Sequence, residues 1–506
     1  MKKNVITLLL LFVTICTTAQ IPGSLDSTFG IGGIVVTPIN VSVSKIQALA
    51  IQTDGKILAA GWSGSGSLNN KFAVVRYNTN GTVDSAFGNN GIVLTQIGNG
   101  NAYGLAIALQ TDGKIIVAGQ ALGAIHINFA LARYYPNGAL DSTFGTNGTI
   151  ITSIGNGDDV ANAILIQPNG KIIAAGMAEG SFGLARYNIN GTLDGTFGIG
   201  GTILTNFGSA GCEAKAVALQ TNGNIVVAGQ SWNSSSSVYK FKIMQLDSNG
   251  ALNPVFGIGG AVETVVGNLN DDRANAMAIQ NDGRIVAAGW TYAATGYDFA
   301  LVRYNTNGTL DNTFGTAGIV ATSITNVYDE AYAVTLQSDG KIVAVGYTGN
   351  LSDGNFALLR YNTDGTLDNN FGFGGIVTTP IDTIASGAYA VALQPDGKII
   401  AAGFSYSDST INFALARYYG GNGTGIKEIQ QKKSIMVYPN PASFNLTIVT
   451  PETSVIEISN IEGQIVKILK IKDCKIDIDI SDLSSGVYII KAMTDKEITT
   501  KKFIKN

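Results

Sequence analysis

Acidic and aromatic side chains recur in this sequence shortly after strand-like segments, in stretches that differ from one another in length. These residue types carry three chemistries: aromatic rings bind sugar rings, converging carboxylates hold a cation, and two carboxylates about 5 to 9.5 Å apart hydrolyse a glycosidic bond. None of the acids follows an EF-hand spacing, so we predict no metal site. The candidate ligand-binding residues are Trp62, Trp232, Trp290, Tyr292, Tyr347, Phe404, Asp159, Asp272, Arg273, Asp329 and Glu330.

A second set of charged residues recurs at a fixed interval. In five stretches such as "RYNTNGTLD", Arg is followed eight residues later by Asp, in the pairs Arg76 and Asp84, Arg133 and Asp141, Arg186 and Asp194, Arg303 and Asp311, and Arg360 and Asp368. Such repetition favours a structural ion pair, because an active site is normally built once. Gln245 and Asn253 replace both charges in the fourth copy, as expected if the two side chains contact each other. Drift in a divergent repeat is the alternative explanation.

Two residues lack a partner under this rule. Arg417 has no Asp eight residues later, and Asp26 has no preceding Arg. We predict that they pair, so that residues 34–37 add an outer strand next to the strand containing residues 413–418. The competing arrangement keeps each repeat as one blade, with segments such as "GIVVT" as its first strand.

The elements that position these residues come from one repeated unit. The phrase "QTDGKI" and its variants place a turn glycine at positions 53 to 60 residues apart, namely Gly55, Gly113, Gly170, Gly223, Gly283, Gly340 and Gly397. In the second copy, "AIALQ", "KIIVAG", "FALARYY" and "GTIIT" have the composition of four short strands, and Asp112-Gly113 indicates a type I′ hairpin. Seven copies of four antiparallel strands predict an all-β chain with a seven-bladed β-propeller.

Antiparallel order assigns the loops to two faces. The Asp-Gly hairpins and the "NGTLDxTFG" turns share the face that we call the bottom, and they are nearly uniform. The loops that lead into the first and third strands share the top face, where length and chemistry vary. The candidate ligand-binding residues lie near that variable face, as is common where a rigid scaffold carries function.

Composition excludes several classes of protein. The chain has 63 glycines, 13% charged residues and a net charge of −4, which offers no basic stripe for nucleic acid. Residues 1–19 have the pattern of a secretory signal peptide, and no later segment is apolar enough for a transmembrane anchor. Cys212 and Cys474 fall in different predicted domains, so we expect no structural disulfide. With His126 as the only histidine and no nucleophile-elbow pattern, we expect no enzyme and no cofactor.

Two resemblances extend this interpretation. Units such as "LDSTFG", "GKIIVAG" and "FALARYN" resemble the delta-60 repeat family over residues 23–419, which implies a secreted bacterial β-propeller. From residue 434, "YPNP", "LSSGVYII" and a Lys-rich final strand resemble the C-terminal sorting domain of the type IX secretion system, which implies that machinery as a partner. The predicted domains are the signal peptide, a propeller (20–420), a linker (421–433) and a small C-terminal β-sandwich (434–506).

Three functions remain open from the sequence. The first is a monomeric binding protein, secreted or displayed on the outer cell surface, whose top face holds an unknown extracellular ligand such as a glycan, a peptide or a matrix component. The second is a polysaccharide hydrolase or lyase that uses acids such as Asp159, Asp272 or Asp329. The third is a structural scaffold.

Overall fold

The structure is a computed structural model that describes residues 20–39, 43–65, 69–205, 211–233, 238–267, 271–294, 296–325, 327–350, 352–382, 384–407, 410–421, 436–438, 440–449, 454–461, 463–471, 475–493 and 498–506. The predicted signal peptide lies outside these residues, as does Cys474. The chain divides into two compact units, Met1–Thr424 and Gly425–Asn506, which we describe separately.

Within the residues that the structure describes, the first unit contains 28 strands. Blade 7 receives β1 (Ile34–Thr37), and blade 1 consists of β2 (Val43–Ile51), β3 (Ile57–Gly64), β4 (Lys71–Tyr77) and β5 (Ile92–Thr95). Blade 2 consists of β6 (Ala102–Leu109), β7 (Ile115–Leu122), β8 (Ile127–Tyr134) and β9 (Thr149–Thr152). Blade 3 consists of β10 (Asp159–Ile166), β11 (Ile172–Ala178), β12 (Ser181–Tyr187) and β13 (Thr202–Thr205). Blade 4 consists of β14 (Glu213–Leu219), β15 (Ile225–Asn233), β16 (Val238–Leu246) and β17 (Ala261–Thr264).

The remaining blades follow in the same order. Blade 5 consists of β18 (Asp272–Ile279), β19 (Ile285–Ala293), β20 (Gly296–Tyr304) and β21 (Ile319–Thr322). Blade 6 consists of β22 (Tyr328–Leu336), β23 (Ile342–Gly349), β24 (Asn355–Tyr361) and β25 (Ile376–Thr379). Blade 7 starts with β26 (Ala385–Leu393), β27 (Ile399–Ser407) and β28 (Thr410–Tyr418). The all-β fold and the seven-bladed propeller are confirmed.

Apolar side chains pack between neighbouring blades rather than inside single blades, because both faces of each four-stranded sheet are covered. The cluster between blades 1 and 2 illustrates this arrangement, since Val74 of blade 1 packs with Val117 of blade 2 and both are fully buried. At the same interface, the hydroxyl of Tyr134 donates to Thr95 Oγ1 at 2.7 Å. The blades therefore stabilise one another and hold the loops of the top face in place.

The first hairpin of each repeat differs from the predicted type I′ turn. In blade 2, the amide of Gly113 donates to the carbonyl of Gln110 at 2.9 Å, and the amide of Gln110 donates to the carbonyl of Lys114. Gly113 has a φ of +81°, whereas Asp112 is not among the residues with positive φ. A type I′ turn needs positive φ at both positions, so the prediction was wrong. The loop is a three-residue turn that ends in a left-handed glycine, which suits the strand twist equally well.

The ring closes between the two ends of the propeller. Strand β1 pairs antiparallel with β28, placing Ile34 opposite Ala416 and Thr37 opposite Phe413. The predicted addition of residues 34–37 to the last blade is confirmed. Blade 7 therefore combines three strands from its own repeat with one strand that precedes blade 1, a closure that holds the ring through backbone hydrogen bonds.

The second unit is a small β-sandwich. Its strands are β29 (Met436–Tyr438), β30 (Asn445–Val449), β31 (Ser454–Asn460), β32 (Ile465–Ile471), β33 (Lys475–Asp479), β34 (Gly486–Met493) and β35 (Ile498–Lys505). One sheet has the order β29-β30-β33 and the other has the order β32-β31-β34-β35. Ile448 and Ile478 of the first sheet pack against Ile456, Ile490 and Phe503 of the second, which gives this unit its own core.

Candidate functional site

On the bottom face, each of six blades contains a buried ion pair. The nitrogen–oxygen distances are 2.6 to 2.8 Å in Arg76–Asp84, Arg133–Asp141, Arg186–Asp194, Arg303–Asp311, Arg360–Asp368 and Arg417–Asp26. Each guanidinium also lies over the Phe ring of the "TFG"-type turn, 4.4 to 4.7 Å from its centroid. A second nitrogen of each Arg donates to a carbonyl of the next blade, as in Arg76 to Pro136 at 2.5 Å. These residues therefore fasten adjacent blades together.

A second cation joins each pair. The ammonium of Lys171, in the hairpin of blade 3, lies 2.7 Å from Asp194 Oδ2, next to Arg186. Burial raises the pKa of Asp194, but the hydrogen bonds from Lys171 and Thr196 and the charge of Arg186 outweigh burial and hold the pKa well below its usual range. A carboxylate fixed as an anion between two cations has no acid–base role near neutral pH. These repeated clusters are structural.

The ring-closing pair follows the same design. Asp26 is fully buried, its Oδ2 lies 2.8 Å from Arg417 Nη2, and Lys398 approaches the same oxygen at 3.1 Å. The amide of Asp26 also donates to the carbonyl of Arg417 at 2.8 Å. Arg417 then donates to the carbonyl of Thr79 in blade 1. The pairing expected from the two unpartnered residues is thus present, and it links both ends of the propeller.

Blade 4 replaces the whole cluster with amides. Gln245 Oε1 accepts hydrogen bonds from Asn253 and, at 3.2 Å, from Asn224, which occupies the hairpin Lys position. Gln245 Nε2 donates to Gln220 Oε1 at 2.8 Å, and Gln220 donates to the carbonyl of Gly283 in blade 5 at 3.2 Å. Three charges therefore disappear together, and a neutral network keeps the link to the next blade. The sequence comparison of Arg and Asp had found two of the three positions.

On the top face, three of the candidate acids prove to be buried loop supports. Asp159, Asp272 and Asp329 occupy the same position at the start of the innermost strand, and all are fully buried. Their oxygens accept backbone amides of the preceding loop: Ile154 at 2.8 Å for Asp159, Val266 at 2.8 Å for Asp272, and Ile324 at 2.7 Å for Asp329. Their assignment as ligand-binding or catalytic acids needs correction, because a carboxylate closed off from solvent cannot contact a polysaccharide.

Aromatic rings form two groups across the top of blades 4, 5 and 6, and Arg273 lies between the groups. We call the two groups together the aromatic belt, and its members are Trp232, Tyr239, Trp290, Tyr292, Tyr297 and Tyr328. Ring centroids lie 4.6 Å apart for Trp232–Tyr239, 4.2 Å for Trp290–Tyr297, 5.4 Å for Tyr292–Tyr297 and 5.3 Å for Tyr297–Tyr328. Tyr292 and Tyr328 are each 40% exposed, so the belt presents apolar ring surface to solvent.

Arg273 joins the two halves of the belt. Its guanidinium lies 4.0 Å from the ring centroid of Tyr239 in blade 4 and 4.9 Å from that of Trp290 in blade 5. Its Nε donates to Asp271 Oδ1 at 3.0 Å, and both side chains remain partly exposed. The site therefore offers a cation and a carboxylate beside a group of rings that are tilted against one another.

The other candidate residues lie outside the belt. Trp62 packs edge-on against Tyr103 at 5.1 Å, at the interface of blades 1 and 2. Tyr347 is 9% exposed and donates to the carbonyl of Asn350. Phe404 contacts Tyr389 at 5.5 Å, and Glu330 accepts a hydrogen bond from Tyr332. Burial raises the pKa of Glu330, against the opposing effects of the Tyr332 hydrogen bond and of Arg273.

A channel of about 400 Å³ runs along the propeller axis. Each innermost strand has a β-bulge at the same position, for example between Ala331 and Ala333 in blade 6. Small neighbours leave room for the bulged residue, which turns toward the axis. The seven bulged residues that line the channel are Gln47, Leu105, Asn162, Lys215, Asn275, Tyr332 and Tyr389.

The bulged residues and half of the belt were not predicted from the sequence. A usable signal existed for two belt residues, because Tyr239 and Tyr297 both stand two residues before the buried Phe of the third strand. Tyr328 meets the belt only through the parallel bridge that places it opposite Tyr297. Within the described residues, no group of three or more His, Cys, Asp or Glu side chains could hold a metal ion.

Comparisons with known proteins agree with both units. The "Secretion system C-terminal sorting domain" family matches residues 436–506. The "Domain of unknown function (DUF5122) beta-propeller" family matches seven segments, 52–87, 110–144, 167–197, 220–256, 280–314, 337–371 and 394–424. Both resemblances found in the sequence are confirmed. No curated protein sequence matches the chain.

Solved structures with similar architecture have low sequence identity. PorZ, a surface component of the type IX secretion system of Porphyromonas gingivalis, is 14% identical with a TM-score of 0.44; the match covers 91% of this chain and 59% of PorZ, so this chain spans about three fifths of that protein's length. Drosophila Semaphorin 1b is 7% identical with a TM-score of 0.43, covering 79% of this chain and 88% of the other. A PL25 ulvan lyase with bound saccharide is 12% identical with a TM-score of 0.41, covering 78% and 94%.

The sorting domain implies export to the extracellular space or the cell surface. None of the residues that the structure describes lies in a helix long and apolar enough to cross a bilayer. The chain belongs to the DUF5122 β-propeller family, with seven repeats in its first unit, and carries a type IX secretion sorting domain as its second.

Proposed function

We propose that this protein is an exported binding protein whose top face binds a carbohydrate chain along the aromatic belt. The observation that carries this proposal is the series of six rings over blades 4 to 6, interrupted by one Arg and one Asp. One face of a pyranose ring presents mainly C–H groups, which pack favourably on the negative face of an aromatic ring. Its hydroxyl groups need hydrogen-bond partners, and the partly exposed Asp271 and Arg273 provide an acceptor and donors.

The geometry favours an extended chain over a single sugar. The rings follow one another from Trp232 to Tyr328 at spacings of 4 to 6 Å, and Arg273 fills the one interval between Tyr239 and Trp290. The rings are fixed by strand pairing, since Trp232 lies opposite Tyr239 and Tyr292 lies opposite Tyr297. A rigid surface loses little conformational entropy on binding, which favours affinity for a flexible polymer.

The polysaccharide hydrolase or lyase has less support. Hydrolysis needs two carboxylates that face the same glycosidic bond. Asp159, Asp272 and Asp329, which were the candidates, are fully buried and hold loop amides. Asp271 is engaged with Arg273. Among the candidate acids, Glu330 is the one that lies near the channel. Glycoside hydrolysis needs a second carboxylate facing the same bond, and none of the other candidates provides it.

A glycan array followed by isothermal titration calorimetry tests the proposal. With the tightest-binding oligosaccharide, we expect Tyr292→Ala to weaken affinity at least about tenfold, or about 1.4 kcal/mol, because the Tyr292 ring is 40% exposed. Phe373→Ala is the control, because Phe373 is a 94% exposed aromatic ring beside the bottom-face turn of blade 6. Equal loss in both variants, or the absence of any glycan ligand, would contradict a belt-based site.

Export by this route leads to a second proposal, which concerns the fate of the sorting domain. We propose that the sorting domain is removed after translocation, so that the propeller acts alone outside the cell. Phe503 is fully buried in the core of that domain and marks its presence. Intact-mass analysis of the exported protein should find a chain that has lost Phe503. Mature protein that retains it would show that the sorting domain stays attached.

A further inference from the structure

The mouth of the channel holds a second group of residues next to the belt. We call this group the mouth cluster, and it consists of Lys45, Glu330, Tyr332, Tyr389 and Phe404 from blades 6, 7 and 1. Strand β22 starts with Tyr328 of the belt and continues to Glu330 and the channel-lining Tyr332. A carbohydrate chain that is bound along the belt therefore needs to extend only along β22 to reach the mouth cluster.

Lys45 is a half-buried ammonium without a counter-charge. It lies 4.5 Å from the ring centroid of Phe404, and among the described residues no carboxylate approaches it within 4.0 Å. The other cations around the channel are paired, with Lys215 at 2.7 Å from Glu213 and Arg273 at 3.0 Å from Asp271. Burial lowers the pKa of Lys45, which reflects the cost of an uncompensated charge. An anionic ligand would supply the missing partner.

Aromatic rings form a wall beside Lys45. Tyr389 lies 4.9 Å from Tyr332 in an edge-to-face arrangement and 5.5 Å from Phe404. Gly387 makes this packing possible, because a Cβ at that position would lie 2.9 Å from Phe404 Cε1 and 3.2 Å from Tyr347 Cδ2. The corresponding positions in blades 1, 5 and 6 carry the long side chains Lys45, Arg273 and Glu330. The glycine in blade 7 thus lets the rings of Phe404 and Tyr347 lie close to the backbone at the rim.

Glu330 closes the other side of the cluster. Its carboxyl group accepts the hydroxyl of Tyr332 and has no Lys or Arg nitrogen within 4.0 Å among the described residues. Burial raises the pKa of Glu330, while the hydrogen bond from Tyr332 and the charge of Arg273 oppose that effect. The cluster therefore combines one cation, one polar carboxyl group and a wall of rings.

We infer that the mouth cluster binds an acidic sugar residue of the uronate type, with the sugar carboxylate against Lys45 and the sugar ring against Tyr389 and Phe404. This inference rests on the proposed carbohydrate binding, which it narrows to acidic chains. A charge-assisted hydrogen bond to a partly desolvated ammonium is the strongest polar contact that the mouth offers. A neutral sugar leaves that ammonium unpaired, so the site discriminates against it.

Titration with two forms of one oligosaccharide tests the inference. The probes are an oligogalacturonate and its fully methyl-esterified form, which differ in charge and hardly in shape. We expect the wild-type protein to bind the acidic form at least about tenfold more tightly. Lys45→Met should remove that preference, so that the two forms bind with similar affinity, whereas Lys45→Arg should keep most of the preference. Lys71→Met is the control, since it removes a lysine that also stands at the top of blade 1, in β4, which β3 separates from the strand of Lys45.

Each outcome has a distinct meaning. An acid preference that persists in Lys45→Met, or that falls equally in Lys71→Met, would overturn the mouth cluster as its origin. Equal binding of both probes by the wild-type protein would overturn the inference and leave the belt intact. Failure of both probes and of every array glycan would overturn the proposed function as well. Thermal melting of Lys45→Met at the wild-type temperature would exclude misfolding as the cause of lost preference.

Discussion

The two faces of this propeller are built from the same repeats. The bottom-face residues are the same in most repeats, whereas the top-face residues differ from one repeat to the next. On the bottom, six blades repeat one cluster of Arg, Asp and a hairpin cation, and each cluster bonds to the next blade. On the top, the equivalent positions differ from blade to blade, as in the series Lys45, Tyr103, Val160, Glu213, Arg273, Glu330 and Gly387. The repeated residues make the contacts that hold the ring, and the variable residues lie on the face that we propose binds a ligand.

Blade 4 sharpens this contrast. It keeps a bottom-face link to blade 5 through Gln220 while replacing every charge of the cluster with an amide. The same blade contributes Trp232 and Tyr239 to the belt on top. The ion pair is thus one solution to blade attachment and not a requirement of the fold, consistent with the modest net value of buried ion pairs.

The largest expected effect is the loss of stability in acid. Hydrogen bonds and neighbouring cations hold the pKa of Asp26, Asp141 and Asp194 below the usual 3.8, despite burial. Their contribution is complete above that value and is lost as the pH falls below about 4, when the unfolded chain takes up protons first. Urea midpoints should therefore fall steeply between pH 5 and pH 2. A flat profile would contradict ionised clusters on the bottom face.

The next largest effect is expected at the ring closure. Arg417→Ala leaves buried Asp26 with Lys398 as its remaining cation and removes the bond to Thr79. We expect the free energy of unfolding to fall by about 3 to 5 kcal/mol. Gln245→Ala in blade 4 is the matched control. It should cost about 1 to 3 kcal/mol, because it leaves neutral amide groups without their hydrogen-bond partner. Equal losses would remove the distinction between charged and neutral blades.

Restoring charge to blade 4 tests why its charges disappeared together. Gln245→Arg alone places a cation in a buried network without a carboxylate and should destabilise the protein by about 3 kcal/mol. Adding Asn253→Asp should recover about 2 kcal/mol, since the restored pair then matches the other blades. The double-mutant cycle is read from equilibrium urea unfolding. Additive effects would mean that the two positions do not interact.

The smallest expected effect on stability belongs to the exposed part of the belt. Tyr292→Ala and Tyr328→Ala should each change the free energy of unfolding by less than about 0.5 kcal/mol, because both rings are 40% exposed. The same changes should weaken oligosaccharide binding about tenfold by calorimetry. Lost stability without lost binding would reverse the roles assigned to the two faces.

The sequence predicted the repeated features and missed the irregular ones. Seven copies of the unit predict the strand order, and the Arg–Asp interval in five of them predicts the closure by residues 34–37, because each copy tests the same pattern. Asp272 is buried because the preceding loop folds over it and donates a backbone amide to it. The amino-acid composition of that loop does not predict this contact. The channel-lining Tyr332 sits in an "AYA" segment whose alternation resembles an ordinary strand, so a single bulge escapes any periodicity argument.

The central claim is that the top face of blades 4 to 6 binds carbohydrate while the bottom face only holds the ring. Hydrogen exchange with and without the tightest-binding oligosaccharide tests it most directly, since it reports both faces in one measurement. We predict that bound ligand slows exchange in residues 290–297 and 328–332, with no change in the bottom turns at residues 305–315. Protection confined to the bottom turns, or spread equally over both faces, would contradict the account.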